Sequence, residues 1–172
     1  MDDQKSLLKK IAYNYGLVLA VLSIMVLAVM YALALDKSWT LSIISIVLTV
    51  IIFVYGILAF KKGNGNEISL IQALKVGLAI AVVGGVLSAI YAYIHYSFIY
   101  PEFVEITRVN SLEDALAKNP DLEGEALEMT EKMIGIFTSP FVMATFSLIG
   151  NLFFGFIISI VTGAIVKNNR PK

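Results

Sequence analysis

The sequence contains no cysteine and only one histidine among its 172 residues. Disulfide bonds, thiolate chemistry and cysteine-based metal sites are therefore excluded. Charged residues make up 15% of the chain, whereas soluble domains contain about a quarter. The formal net charge is zero, so the overall charge does not indicate a nucleic-acid or polyanionic partner.

Four long apolar runs contain no Asp, Glu or Arg. Each run has the length of about 20 residues that a helix needs to cross a bilayer. We therefore predict an all-α fold, an integral membrane four-helix bundle that forms a single membrane domain over residues 1–172. The predicted spans are residues 16–35, 41–60, 76–99 and 141–166.

The first run also resembles a secretory signal peptide, because lysines precede it and Ala32-Leu33-Ala34 ends it. Its apolar stretch is longer than that of a usual signal peptide, and bulky Tyr31 and Leu33 crowd the cleavage site. We expect a retained helix.

The distribution of charge predicts the topology. Four spans place both termini and the link between the second and third spans on one side of the membrane. That side carries nine of the thirteen basic residues: Lys5, Lys9, Lys10, Lys61, Lys62, Lys75, Lys167, Arg170 and Lys172. By the positive-inside rule, both termini are predicted to be cytoplasmic.

The segment 101–139, between the third and fourth spans, is acidic and is predicted to be extracytoplasmic. It contains nine acids against three bases. Ser111 with Asp114 predicts the start of a short helix that ends near Lys118. Asn119-Pro120 predicts the start of a second helix.

An apolar seam follows this second start, at steps of three and four residues: Leu122, Ala126, Met129, Met133 and Ile136. The segment is therefore predicted to be an acidic helical hairpin. Its apolar seam should lie either on the bilayer surface or on the outer ends of the spans.

Small residues predict which spans pack together, because helices in lipid associate through close backbone approach. The third span has a stripe at Gly77, Ala81, Gly85 and Ala89, and the fourth has one at Asn151, Gly155, Ser159 and Gly163. We predict that the third span packs on the fourth, although one stripe would equally serve a homodimer.

Two polar residues of the third helix are candidates for function. Ser69 and Gln72 form a capping-box pattern, so the helix should begin before the apolar run and carry Lys75 near its cytoplasmic edge. Lys75 is expected to be a snorkelling anchor, with a ligand contact as the alternative. His95 lies among tyrosines in a predicted aromatic belt, with a pH-sensing or ligand role as the alternative.

Nothing else in the sequence predicts catalysis. Metalloprotease, dinucleotide-binding and phosphate-loop motifs are missing, and the acids of segment 101–139 lack the spacing of a calcium loop. We therefore predict no catalytic, cofactor or metal site, and no enzyme activity. Intramembrane carboxylates and related halves, which are typical of ion-driven transporters, are also missing.

Several local motifs are shared with a known family. They are Phe60-Lys61-Lys62, Ile68-Ser69-Leu70, Ala73-Leu74-Lys75-Val76-Gly77, Gly84-Gly85, Tyr91-x-Tyr93, Phe98-Ile99-Tyr100-Pro101-Glu102-Phe103, Ser139-Pro140, Phe154-Gly155 and Gly163-Ala164-Ile165. Through them the chain resembles, almost end to end, a bacterial family of small four-span membrane proteins, domain of unknown function 4199. The resemblance implies an inner-membrane protein of a diderm bacterium. It implies no activity and no catalytic residues.

Taken together, these features predict a non-enzymatic accessory or assembly protein that acts through its acidic segment. Its expected partners are the lipid bilayer and another membrane protein or further copies of itself, with no nucleic acid. The alternative is a small oligomeric transporter or channel component.

Overall fold

The chain is helical throughout the described residues, 2–34 and 39–168 of the computed structural model. These residues form six α-helices and one π-helical turn, with no strand. In chain order they are α1 (Asp2–Leu33), α2 (Trp39–Gly63), α3 (Leu70–Ile94), the π-turn (His95–Ile99), α4 (Pro101–Lys118), α5 (Gly124–Phe137) and α6 (Pro140–Val166).

Four of these helical segments are long and apolar enough to cross a membrane: α1, α2, α3 with the π-turn, and α6. The predicted four-span, all-α membrane fold is confirmed at this level. The helix of the first span begins at Asp2 instead of Gly16. This extension is stabilised by apolar side chains of the early turns, because Leu7, Leu8 and Ile11 pack into the core.

The predicted start of the third helix is confirmed by its local geometry, and a proline explains the start of the fourth span. The Ser69 hydroxyl accepts a hydrogen bond from the backbone N–H of Gln72 at 3.2 Å, and the Gln72 side chain accepts one from the Ser69 N–H at 2.8 Å. This reciprocal pair is the capping box. The fourth span begins at Pro140, whose missing N–H is not needed in a first turn.

The helix α3 lies against α6 in an antiparallel register that advances by four residues on both helices. At each step a glycine on one helix faces a small residue on the other, so that the backbones approach closely. The pairs are Ala73 with Gly163, Gly77 with Ser159, Ala81 with Gly155, and Gly85 with Asn151. Seven of the eight stripe residues lie in this register. The eighth, Ala89, is half-buried beside a groove that Ala144 and Leu148 also line.

A second face of α3 packs just as closely on α1. A Cβ added to Gly84 would lie 2.9 Å from the carbonyl oxygen of Gly16, and one added to Gly16 would lie 3.1 Å from the Gly84 nitrogen. The two backbones therefore touch at this crossing. The adjacent glycines Gly84 and Gly85 face different helices, since consecutive helical residues point about 100° apart.

The helix α2 completes the core from the side. Phe53 is fully buried, and its ring lies where a side chain at Gly155 would be. Gly56 of α2 leaves room for the end of the Ile80 side chain of α3. Large side chains of α2 therefore fill the space between the closely packed helices.

One end of the bundle, which we call the basic end, is held together by polar contacts. The backbone of Asn168 pairs with Ile68 in an antiparallel bridge. Lys61 donates to the carbonyl oxygen of Val166 at 2.9 Å, which satisfies an acceptor at the C-terminus of α6. Gln4 donates to Asn64 at 2.8 Å. The start of α1, the second link and the end of α6 thus meet at one end.

Packing loosens away from the basic end. Among the described residues, α1 has no buried side chain after Ala20, and α2 has none before Ile52. Buried positions of α3 continue to Ala92, and one more follows at His95 in the π-turn. The other end, which we call the acidic end because it carries α4 and α5, is therefore built mainly on α3 and α6.

The helix boundaries within the acidic segment differ from the prediction. The first helix, α4, begins at Pro101, and Ser111 lies inside it, where its hydroxyl donates to the Thr107 carbonyl at 2.7 Å. Proline at the first helical position is the start signal. The predicted end near Lys118 is confirmed.

The second predicted start, at Asn119-Pro120, is also wrong. Asn119 is the C-cap of α4, and α5 begins at Gly124. Gly124 has a φ of +57°, a left-handed conformation that interrupts any helix started at Pro120.

The close approach of α3 and α6 predicts a strong difference between two glycines of α6. A Cβ on Gly155 would lie 2.7 Å from the Ala81 Cβ and about as close to the Phe53 ring, whereas a Cβ on Gly150 would meet nothing within 4 Å. Overpacking a core typically costs about 1–3 kcal/mol. Gly155→Leu should therefore destabilise the protein by at least that amount. Gly150→Leu is the matched control and should leave stability unchanged or raised.

Thermal unfolding of both variants in one detergent, followed by circular dichroism, measures this difference. Equal midpoints for the two variants would contradict the tight α3–α6 register.

Candidate functional site

A groove of about 560 Å³ runs between α4 and α5 at the acidic end. Its α4 side is formed by small residues, Ser111 and Ala115. Its other side consists of larger apolar residues from the link and α5, among them Leu122, Met129 and Met133. The two helices contact each other, and the groove remains open between them.

The helix α5 also exposes an apolar face, which consists of Met129, Met133, Ile136 and Phe137. Their exposed fractions are 63%, 49%, 51% and 51%. One alternative from the sequence was that the outer ends of the spans cover this seam. They do not, since the seam remains open. Phe137 is near α6 through a stacked contact with Phe146, with 6.3 Å between the ring centroids.

Acidic side chains are numerous on the segment that forms this apolar face and groove. All nine carboxylates of α4, α5 and their link are exposed: Glu102, Glu105, Glu113, Asp114, Asp121, Glu123, Glu125, Glu128 and Glu131. The segment therefore combines a methionine-containing apolar strip with many exposed negative charges. Methionine side chains adapt to differently shaped partners.

His95 is more enclosed than an aromatic belt requires. Its side chain is only 2% exposed and lies at the first position of the π-turn. Tyr31, Tyr91 and Tyr96 surround the ring with centroid distances of 6.0, 5.6 and 5.4 Å. Its Nδ1 atom is buried without a hydrogen-bond partner among the described residues. We call His95 and the tyrosines around it the aromatic cluster.

Lys75 lies at the basic end, far along α3 from His95. Its side chain is exposed and borders a pocket together with Lys5 of α1. The two polar candidates, Lys75 and His95, are thus separated by most of the length of the helix and cannot act on one small ligand. Within residues 2–34 and 39–168, no three His, Asp or Glu side chains are grouped to hold a metal ion.

A cavity of about 210 Å³ lies where the packing of the four spans loosens. Each span contributes one serine to its lining: Ser23 from α1, Ser45 from α2, Ser88 from α3 and Ser147 from α6. Tyr96 lines it as well. Ser88 donates to the Gly84 carbonyl at 2.7 Å and Ser23 to the Leu19 carbonyl at 3.0 Å. Their oxygen lone pairs remain available as acceptors.

Sequence reasoning did not identify this serine-lined cavity. Ser23 and Ser147 are isolated serines within apolar runs, and no local spacing connects them. The signal that was present is that every span contains at least one serine. That signal becomes informative only when the relative rotation of the helices is known.

The burial of His95 leads to a stability prediction. A buried polar atom without a partner costs about 1–3 kcal/mol, so His95→Phe should unfold at the same or a higher temperature than the native chain. His95→Ala, the cavity-forming comparison, should be destabilised by about 2–5 kcal/mol. Thermal unfolding in detergent distinguishes the variants. An equal loss in both would show that the imidazole makes a polar contact that the fold requires.

One family model matches the chain, and its description is Protein of unknown function (DUF4199). The match covers residues 14–168, which include most of α1 and all of α2 to α6. No curated protein and no solved structure matches the chain. The matched range includes the α3–α6 register, the serine-lined cavity and both helices of the acidic segment. The chain therefore belongs to the DUF4199 family of proteins of unknown function.

Proposed function

We propose that this chain is a non-enzymatic accessory or assembly protein of the bacterial inner membrane, with both termini in the cytoplasm. It binds another membrane protein through α4 and α5, which form an extracytoplasmic helical hairpin. The observation that carries the proposal is the uncovered apolar face of α5, which lies beside the groove on a segment that exposes nine acids.

The chemistry of this surface favours one class of partner. An apolar helix or extended segment would fill the groove, and basic residues of the same partner would pair with the exposed acids of α4 and α5. The bilayer surface is a poorer occupant, because anionic headgroups repel the same carboxylates. The proposed partner is therefore a membrane protein that presents an apolar segment with lysine or arginine on its flanks.

The charge distribution supports the proposed orientation. The basic end brings together the start of α1, the second link and the end of α6 through the hydrogen bonds of Gln4, Lys61 and Asn168. These segments carry most of the lysines, and the acidic helices lie at the other end of α3. By the positive-inside rule, the basic end is cytoplasmic.

A second candidate function is a small oligomeric transporter or channel component. The observation that favours it is the serine-lined cavity, to which all four spans contribute a hydroxyl. A polar cavity inside a bundle would hold water or a small polar solute. Within residues 2–34 and 39–168 no carboxylate lines it, so the described lining offers no group to couple transport to a proton or sodium gradient.

The orientation is tested with reporters fused after Lys172 and inserted between α4 and α5. A C-terminal fluorescent protein should be bright, because it would fold in the cytoplasm, and alkaline phosphatase at the same position should be inactive. Alkaline phosphatase inserted at Gly124 should be active. The reverse pattern would contradict the proposed topology.

The partner surface is tested by photo-crosslinking in native membranes. A photoreactive amino acid at Met129 or Met133 should form a discrete adduct with one membrane protein, and the yield should fall at high salt because charge contributes to the contact. Lys132 is the matched control position. It lies on the same helix, is exposed and lines neither the groove nor the apolar face, so its adducts should be weak.

Two outcomes would contradict the accessory function. Adducts with lipid only would show that α5 rests on the bilayer. Adducts with this chain only, together with ion flux in liposomes that contain the purified protein, would favour the channel component. A partner whose crosslinked segment lacks basic residues would overturn the proposed charge complementarity.

A further inference from the structure

A small pocket at the basic end lies between α1, α2 and α3, away from the proposed partner surface. Its volume is about 240 Å³. Phe60 and Leu8 provide its apolar lining, with Phe60 buried and Leu8 half-buried. The polar groups around it are two ammonium groups and two carboxamides, from Lys5, Lys75, Gln4 and Gln72. Pockets that bind drug-sized ligands typically have volumes of about 300–1,000 Å³, so this pocket suits a smaller group.

The electrostatics of this pocket favour an anion. Among the described side chains, no carboxylate lines it. Lys5 and Lys75 have no ion-pair partner in the part of the chain that the structure describes. The neighbouring Lys61 is occupied differently, because it donates to the Val166 carbonyl. Two like charges beside one pocket repel each other, so a bound anion would stabilise this arrangement.

The carboxamides of the pocket indicate which class of anion it would bind. The Gln72 side-chain oxygen already accepts from Ser69, which leaves its NH₂ group as the part able to donate to a ligand. The NH₂ group of Gln4 already donates to Asn64, so the donors that the pocket presents are the two ammonium groups and the Gln72 amide. Phosphate oxygens are acceptors that suit such a set, and lysine binds phosphate as a compact point charge.

The position of the pocket indicates the source of the phosphate. Lys75 directly precedes Val76, where the apolar run of α3 begins. The pocket thus lies at the level where a membrane would present its headgroups, and its apolar floor suits the glycerol and upper acyl carbons of a lipid. Basic pockets between transmembrane helices bind anionic headgroups in this way.

We infer that this pocket binds the phosphate of an anionic phospholipid, held by Lys5 and Lys75. The site goes beyond the proposed function, because it lies at the opposite end of the bundle and needs no protein partner. It assigns Lys75 a ligand in addition to its position at the membrane edge.

The test uses the full-length protein in a neutral detergent and native mass spectrometry of bound lipid. Phosphatidylglycerol should bind more tightly than phosphatidylcholine. In Lys5→Gln/Lys75→Gln the affinity for phosphatidylglycerol should fall roughly 25-fold, at about fivefold for each ammonium group. Lys75→Arg keeps the charge and should retain most of the binding.

The matched control is Lys9→Gln/Lys62→Gln. It removes the same charge from exposed residues of α1 and α2 that do not line the pocket. With lipid added at low ratio in detergent, its affinity should change by less than about twofold, because only groups that touch the headgroup contribute. Glutamine is a good helix former, so both variants should fold as the native chain does, which circular dichroism checks.

Three results would overturn the inference. An equal loss in both double variants would mean that diffuse surface charge attracts the lipid. Unchanged binding in Lys5→Gln/Lys75→Gln would mean that the pocket is not the site. Displacement of phosphatidylglycerol by millimolar inorganic phosphate would show that the pocket takes a free anion and not a lipid.

Discussion

The fold depends on close backbone contact along α3. In lipid, apolar side chains gain little by turning away from the solvent, so helices associate mainly through van der Waals contact and interhelical hydrogen bonds. Gly77 and Gly85 bring α3 against α6, and Gly84 brings it against Gly16 of α1. One face of α3 therefore packs on α6 and another packs on α1. The helix α3 is thus the element to which the other spans are attached. Phe53 then fills the remaining space from α2.

This arrangement has consequences at both ends of the molecule. At the basic end, tight packing fixes the starts of α1 and α3 side by side, which places Lys5 and Lys75 around one pocket. At the acidic end, the described residues of α1 and α2 include no buried side chain, and the serine-lined cavity opens between the spans. The π-turn at His95 then leads into α4, so the acidic helices continue from the most firmly held helix of the bundle. The exposed surface of α4 and α5 is thus attached to α3, the most closely packed helix of the bundle.

Much of the architecture could be predicted from local sequence, because span length, caps and stripes are local properties. The apolar runs gave the four spans, Ser69 with Gln72 gave the start of α3, and the four-residue spacing of glycines marked the face that lies on α6. The helix starts in the acidic segment were wrong for an equally local reason. The Ser111 pattern lies inside a helix that Pro101 begins, and the left-handed Gly124 interrupts the helix expected from Pro120.

The parts that could not be predicted depend on residues that are distant in sequence. Ser23 and Ser147 share a cavity only because four helices adopt particular rotations, and Lys5 meets Lys75 only because α1 is helical from its first turns. His95 was expected in an aromatic belt, whereas the rings of Tyr31 and Tyr91 enclose it from two different helices. Spacing within one run contains no information about such contacts.

In the proposed function, the acidic helices meet another membrane protein. The composition and mass of the native complex, extracted gently with its surrounding lipid, are the decisive measurement. A second membrane polypeptide should be present in a fixed ratio to this chain, and it should be released when Met129 and Met133 are both replaced by glutamate. A chain that is extracted as a monomer, or as a ring of identical copies that persists after the same replacements, would contradict the proposed function.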